Sequence, residues 1–185
     1  MPENMAEVVQ NIHVGPGILQ LDPEGDSIEY KATEEGGTLS ISRDVEFIEI
    51  DEAVGAVASY ITGEECTFTI QALEVDAEKI KQALGHGTIT TTPAGSAQVG
   101  MDELEFGGGF TLLENKLVYT AARRHNPNLN IIIELYKVVA VTDVEKNMQK
   151  TGKLTYQVQF RAINDMDQEA GQRLGKITIE TEEEQ

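Results

Sequence analysis

The chain has 185 residues, of which 40% are hydrophobic and 25% charged, a composition that indicates one globular domain and excludes a disordered segment. Its 32 acidic residues outnumber its 14 basic residues, giving a net charge of −18. Such a chain is a poor candidate for binding nucleic-acid phosphates, because each phosphate contact needs a lysine or an arginine.

The first residues predict an extended arm followed by short strands. Residues 1–20 contain Gly-Pro-Gly and little periodicity, which indicates the arm. Apolar and polar residues alternate in SIEYKAT, as in a half-buried strand. The following EEGGT is predicted to be a turn, because paired glycines accept the positive φ of tight hairpins. The segments TLSIS and DVEFIEI are predicted to be two further strands.

Residues 51–63, DEAVGAVASYITG, are less regular, and we predict a loop or a short strand pair there. The next segment, EECTFTIQALEV, is a clear strand, with Cys66 on the apolar side of the alternation. The single cysteine excludes an internal disulfide, which favours assembly in a reducing cytoplasm, and its place inside a strand favours a small buried core residue. Asp76 and Gly85 then predict the two ends of a helix over AEKIKQAL.

The second half of the chain predicts a return to strands. The predicted strands are TITTT, AQVGMDELEF, GGGFTLLE, KLVYTAA, NIIIELYKVVAV, KLTYQVQFRAI and KITIE. NIIIELYKVVAV is apolar on both faces, which predicts a central strand. DVEKNMQKTG predicts one helical turn, RRHNPNLN and NDMDQEAGQRLG predict connections, and residues 181–185 predict a solvated acidic tail.

Together these elements predict a mainly β, antiparallel sandwich or barrel with one flanking α-helix. No internal repeat or long linker divides the chain, so residues 1–185 are predicted to form a single domain. The N-terminus has no basic region followed by an apolar stretch, so no signal peptide is predicted. No run reaches the roughly 18 apolar residues of a membrane helix, so no membrane partner is predicted.

Motifs for catalysis, metal binding or cofactor binding are not found in the sequence. Neither Gly-Lys pair has the upstream glycine of a phosphate loop, and the three histidines, His13, His86 and His125, are isolated. No nucleophile elbow occurs. We therefore expect no enzyme activity, no metal and no cofactor. The only basic cluster contains Arg123 and Arg124, for which we predict an intersubunit salt bridge or a solvated loop.

The order of segments within residues 47–85 resembles a family of structural proteins. A strand ending in IEID is followed by a Gly-Ala-Val segment, a Thr-Gly-Glu-Glu turn, a strand ending in LEV and the helix DAEKIKQALG. Upstream, GGTLSISRDVEFIEIDEAVG looks like an opening hairpin, and downstream QVQFRAINDMDQEAGQRLGKITI looks like a pair of closing strands. Over residues 28–85 and 150–180 the chain resembles the tail tube, or major tail, proteins of long-tailed bacteriophages.

The resemblance implies a β-sandwich with a flanking helix, a long hairpin or loop and an extended arm. It also implies homohexameric rings that stack into a hollow tail tube, assembled in the host cytoplasm and located in the virion tail. Other implied partners are a tape-measure protein, a tail terminator and baseplate or distal tail proteins. DNA is expected to pass through the lumen without specific binding. The candidate lumen or subunit-interface residues are Asp51, Glu52, Glu64, Glu65, Thr67, Thr69 and Gln71.

Charge and polarity agree with a conduit for DNA. Residues 1–85 carry −14 of the net charge and residues 86–185 carry −4. Six copies would carry −108, and whatever part faced the lumen would repel phosphates. Two uncharged polar stripes, Thr67/Thr69/Gln71 and Thr155/Gln157/Gln159, are expected to line either the lumen or the outer surface.

Two alternatives remain at the level of sequence. One is a different virion component, such as a tail terminator or a head decoration protein, which would form one ring or a trimer but no polymer. The other is a β-barrel module that binds a small ligand, which would need a buried pocket with a titratable group of perturbed pKa.

Overall fold

The computed structural model of the chain describes residues 17–51, 54–74, 76–95, 98–123, 126–141 and 155–181. These residues form a mainly β, antiparallel structure with one helix. The strands are β1 Gly17–Leu21, β2 Ile28–Tyr30, β3 Thr33–Glu49, β4 Ala56–Ala72, β5 Thr88–Thr92, β6 Met101–Glu105, β7 Glu114–Ala122, β8 Asn130–Ala140, β9 Tyr156–Ala162 and β10 Gly175–Ile179, and the helix is α1 Ala77–Leu84.

One sheet has the strand order β2-β1-β7-β8-β9-β4-β3, and β5 and β6 form a separate hairpin. The predicted central strand, β8, is central: it pairs with β7 on one edge, and on the other with β10 over residues 131–135 and with β9 over residues 138–140. The two halves of the sheet then pack face to face, and the rings of Phe68 and Tyr119 lie 5.0 Å apart. The predicted antiparallel β-sandwich with a flanking helix is confirmed.

The core lies between these two layers and consists mainly of aliphatic and phenyl side chains from alternate strand positions. Burial alternates along β4 and β9 as the sequence predicts, because successive side chains of a strand point to opposite faces. The largest side chains with less than 2% exposure are Tyr30, Phe68, Phe160, Leu19, Leu21, Ile70, Leu117, Val138 and Val158. Cys66 is 2% exposed, which confirms it as a core residue.

Helix α1 has the boundaries that the sequence predicts, because both ends depend on local signals. Asp76 accepts a hydrogen bond from the backbone N–H of Lys79 at 2.8 Å, and Gly85 adopts the left-handed φ of 70°. The Tyr30 hydroxyl donates to the Lys79 carbonyl at 3.0 Å and ties the helix to the core. Burial is the main reason that the pKa of Tyr30 is raised well above its usual value, so this donor stays protonated.

Several strand predictions in the first half of the chain are wrong at their ends. Residues 17–20, assigned to the extended arm, belong to β1 and pair with β7, while residues 1–16 lie outside the described residues. The predicted turn EEGGT is part of β3, where a register shift between Glu34 and Gly37 absorbs the glycines. TLSIS and DVEFIEI are consequently one strand, and β2 pairs with β1 instead of with the following segment.

Two further predictions need correction. Residues 56–63, predicted as part of a loop or short strand pair, are the first half of β4. Residues 107–113, predicted as a strand, lie outside the strands, because Gly107 and Gly108 adopt φ of 115° and 69°. The helical turn predicted over DVEKNMQKTG lies outside the described residues.

A cluster of charges on the outer face of β7, β8 and β10 leads to a test of stability. The Glu134 side chain is 14% exposed, and its two oxygens lie 3.0 Å from the Lys116 ammonium and 2.8 Å from the Lys176 ammonium. Burial acts to raise the pKa of Glu134, but hydrogen bonds from Lys176 and Lys116 lower it overall. The carboxylate of Glu134 in β8 is therefore held ionised between the two neighbouring strands, β7 and β10, which are distant from each other in the sequence.

We expect Glu134→Gln to lower the free energy of unfolding by about 1–2 kcal/mol at pH 7, because it removes charge-assisted hydrogen bonds from a mostly buried group. A lowered folded-state pKa stabilises the protein above the unfolded pKa of about 4.3, and this contribution is lost as the pH falls through the folded value. Urea unfolding at pH 7 and pH 3 should therefore show a difference between variant and wild type that shrinks at pH 3. Glu24→Gln is the control, since Glu24 also pairs with Lys116 but is 84% exposed.

Candidate functional site

The most unusual part of the molecule is the hairpin of β3 and β4, whose outer half projects beyond the sheet. Strand β4 pairs with β9 only from Thr67 to Ala72, so its residues 56–65 pair with β3 alone. Ten residues of strand extend roughly 33 Å. Almost every residue of this part is exposed, including all of 40–49 in β3. We call residues 45–61 the hairpin tip.

Bulges bend the strands of the projecting hairpin. Asp44 pairs with Gly63 and Val45 pairs with Ile61, so Thr62 is an extra residue in β4. The Thr62 hydroxyl donates to the Asp44 carbonyl at 3.2 Å. Because of this extra residue, the side chains of β4 change face between Gly63 and Ile61, and the simple alternation of the sequence is interrupted.

One face of the hairpin is apolar at its base, where it joins the core, and again toward its tip, with the Arg43–Glu64 ion pair between the two parts. Directly paired residues of antiparallel strands share a face, so the pairs Leu39–Phe68, Ile41–Cys66 and Val45–Ile61 lie on the same side. Leu39 packs against the core, but Ile41, Val45 and Ile61, which lie farther out, do not. Ile41, Val45, Phe47 and Ile61 are 51%, 44%, 64% and 57% exposed. We call this side the apolar face.

The opposite side, which we call the polar face, is rich in serine, threonine and glutamine. Thr67 pairs with Ser40 and Arg161, Thr69 with Thr38 and Gln159, and Gln71 with Glu34 and Gln157. The structure thus brings the two polar stripes of the sequence analysis together as one surface across β3, β4 and β9. Its charged pair is Glu65 and Arg161, whose side-chain atoms lie 3.4 Å apart.

The predicted acidic residues occupy different places on the hairpin. Glu65 belongs to the polar face, whereas Glu64 lies on the apolar face and pairs with Arg43 at 2.7 Å. Asp51 is exposed at the end of the hairpin, and Glu52 lies outside the described residues. Residues 44–65 contain seven acidic residues and no basic one. The hairpin therefore contributes strongly to the negative charge of the first half of the chain.

A cavity of about 490 Å³ opens beside the base of the hairpin, between the apolar face and the segment that leads into β10. We call it the groove. Its apolar lining consists of Leu39, Ile41, Cys66, Ile133, Leu135, Leu174 and Ile177, and its polar lining includes Arg43, Glu64, Asn164, Gln172, Arg173 and Lys176. The groove therefore lies between residues of β3 and β4 on one side and residues of β8 and β10 on the other.

The chemistry available in the groove is limited. Burial, together with the negative charge of Glu64, raises the pKa of the Cys66 thiol, so the thiol is protonated near neutral pH and is a weak nucleophile. Glu64 is ion-paired with Arg43, and Lys176 with Glu134. The arrangement is suited to packing apolar groups, since the thiol is protonated and both carboxylates are held in ion pairs.

Arg123, one of the two arginines predicted for a subunit contact, bonds within the chain. Its guanidinium donates to the Glu180 carbonyl at 2.8 Å, next to the end of β10. Arg124 and His125 lie outside the described residues. The salt bridge to another subunit thus stays a prediction for both arginines.

Within the described part of the chain, no group of three His, Cys, Asp or Glu side chains is arranged to hold a metal ion. None of the helices in that part has the length and apolar character needed to cross a bilayer. The chain matches no known protein-family model and no curated protein sequence.

The sequence analysis did not single out the exposed apolar residues of the tip. FIEI and AVASYI were visible as apolar runs, but each was compatible with an ordinary strand or loop that reaches the core. The sequence did not show how far the hairpin extends. In the structure β9 pairs only with the inner half of β4, and the outer half has no second neighbour in the sheet.

Proposed function

We propose that this chain is the repeating subunit of a hollow phage tail tube, in which rings of six copies stack and DNA passes through the lumen. The observation that carries the proposal is the projecting hairpin, with exposed apolar side chains at its tip and the polar face on the opposite side of its base. Contiguous exposed apolar surface marks sites of protein association, since it costs free energy to leave such surface in water.

The free edges of the sheet support assembly into a closed ring. Among the described residues, β3 pairs only with β4, and β2 pairs only with β1. An unpaired edge offers backbone N–H and C=O groups to a strand of another chain. A head-to-tail contact between two different surfaces of identical copies closes into a ring when the rotation between copies allows it.

The polar face supports the role of a conduit. Threonine, serine and glutamine side chains hydrate well but carry no charge that would hold a phosphate. The one arginine there, Arg161, is paired with Glu65, and the chain as a whole is strongly acidic. A lumen lined by this face would let DNA slide, since no fixed cation would retain its backbone.

The experiment that tests the proposal is negative-stain electron microscopy of the purified protein across a concentration series, with the mass measured by light scattering. We expect sixfold rings or hollow tubes as the concentration rises. A single closed ring or a trimer that never stacks would instead favour the tail terminator or head decoration alternative. A monomer at every concentration would contradict self-assembly and direct attention to the groove as a ligand site.

A further inference from the structure

We propose that the groove of one copy receives the hairpin tip of a second copy of the chain. This inference rests on the proposed function, because it names the surface to which the exposed hairpin binds. The groove and the tip are different surfaces of the molecule, so the contact is head-to-tail and can repeat without limit or close into a ring.

The first argument is reach. The tip of a given copy cannot fill the groove of the same copy, because strand β3 carries it away from the body. From Ile41, which lines the groove, to Glu49 at the end of β3 the strand extends by roughly 27 Å. The apolar residues of the tip therefore do not enter the groove of their own copy, and Phe47 and Ile61 are left more than half exposed.

The second argument is chemical match. The groove has an apolar lining that includes Ile41 and Ile177, which are 51% and 52% exposed. The tip presents Val45, Phe47 and Ile61 on one face. A cavity of about 490 Å³ has room for a few side chains of this size, and their burial removes apolar surface of both copies from water.

The third argument is charge. The tip contains four acidic residues and no basic one, and Glu49 shares the apolar face with Phe47. The groove is lined by Arg43, Arg173 and Lys176 and by one acidic residue, Glu64. Although Arg43 pairs with Glu64 and Lys176 with Glu134, the groove combines apolar surface with an excess of basic side chains in a chain of −18. Complementary charge of this kind fixes the register of an interface.

The test exchanges the charges of the two surfaces. A tip variant carries Glu49→Arg and Asp51→Arg, and a groove variant carries Gln172→Glu and Arg173→Glu. Each variant alone is expected to need a concentration at least about tenfold higher than wild type for assembly, because like charges then face each other. A 1:1 mixture is expected to assemble near the wild-type concentration, since each tip finds an oppositely charged groove. Sedimentation velocity measures the assembly, and urea unfolding verifies that each variant is folded.

Glu103→Arg with Glu105→Arg on β6 is the matched control for the tip variant, since it makes the same change in net charge on exposed residues away from the hairpin and groove. It is expected to assemble like wild type. A groove variant that assembles like wild type, or a mixture that stays unassembled, would overturn the tip-in-groove contact while wild-type assembly, and with it the proposed function, still stood. Wild-type protein that never associates would refute both.

Discussion

Replacing Phe68 by alanine should lower the free energy of unfolding by about 3–5 kcal/mol, the usual cost of removing a buried phenyl ring. Phe68 is completely buried in β4, and its ring contacts the ring of Tyr119 from the other layer of the sandwich. Its ring also occupies the space beside Gly37, where an added Cβ would lie 2.4 Å from the ring. The truncation would therefore open a cavity where the two layers meet, and the rigid strands around it cannot collapse fully to fill it.

The measurement is urea unfolding followed by circular dichroism, with the midpoint compared at an unchanged slope. Phe110→Ala is the matched control, because it makes the same chemical change at a side chain that is fully exposed. We expect this control to change the stability by less than about 0.5 kcal/mol. Equal midpoints for the two variants would show that the Phe68 side chain does not contribute to the core as described.

Replacing Phe47 and Ile61 together by serine should abolish self-association and leave the stability of the protomer nearly unchanged. Both side chains are more than half exposed on the apolar face of the tip, so folding of a single copy gains little from them. An interface, in contrast, buries them completely, and truncation of a central aromatic residue typically costs at least 2 kcal/mol of binding free energy. Because each subunit of a polymer makes the contact repeatedly, a loss of this size prevents growth.

Light scattering across a concentration series measures the expected loss, and urea unfolding measures the protomer. Phe106→Ser is the control, since Phe106 is 69% exposed but lies between β6 and β7, away from the tip. Assembly of the double variant at the wild-type concentration would remove the apolar face from the interface. A large drop in stability would instead show that the tip packs against its own protomer.

Local signals account for the parts of the structure that the sequence predicts correctly. Helix α1 begins after Asp76 and ends before Gly85, because a cap residue and a left-handed glycine act within a few residues of chain. The buried and exposed positions of the inner half of β4 follow from the same kind of signal, since strand alternation is a property of the backbone. The stripe Thr67, Thr69 and Gln71 was therefore correctly assigned to one face.

The tertiary structure decides which strands become neighbours, and alternation carries no information about this. The sequence suggested that SIEYKAT turns at EEGGT into TLSIS, but β2 pairs with β1, and the glycines form an irregularity inside β3. Strand pairing depends on contacts between residues that are distant along the chain and on the packing of the whole sheet. The same pairings place Thr69 beside Gln159 and so create the polar face.

The candidate site, too, is predicted in part by the sequence and decided in part only by the tertiary structure. Composition alone establishes an acidic chain with one cysteine and a core of mainly aliphatic residues, and motif search finds no catalytic or metal-binding pattern. Only the three-dimensional arrangement exposes Phe47 and Ile61 and buries Phe68, although all three lie in comparable apolar runs. The physical reason is that the inner half of β4 faces the other layer of the sandwich, where Phe68 contacts Tyr119, whereas the same alternation continues outward into solvent in the outer half.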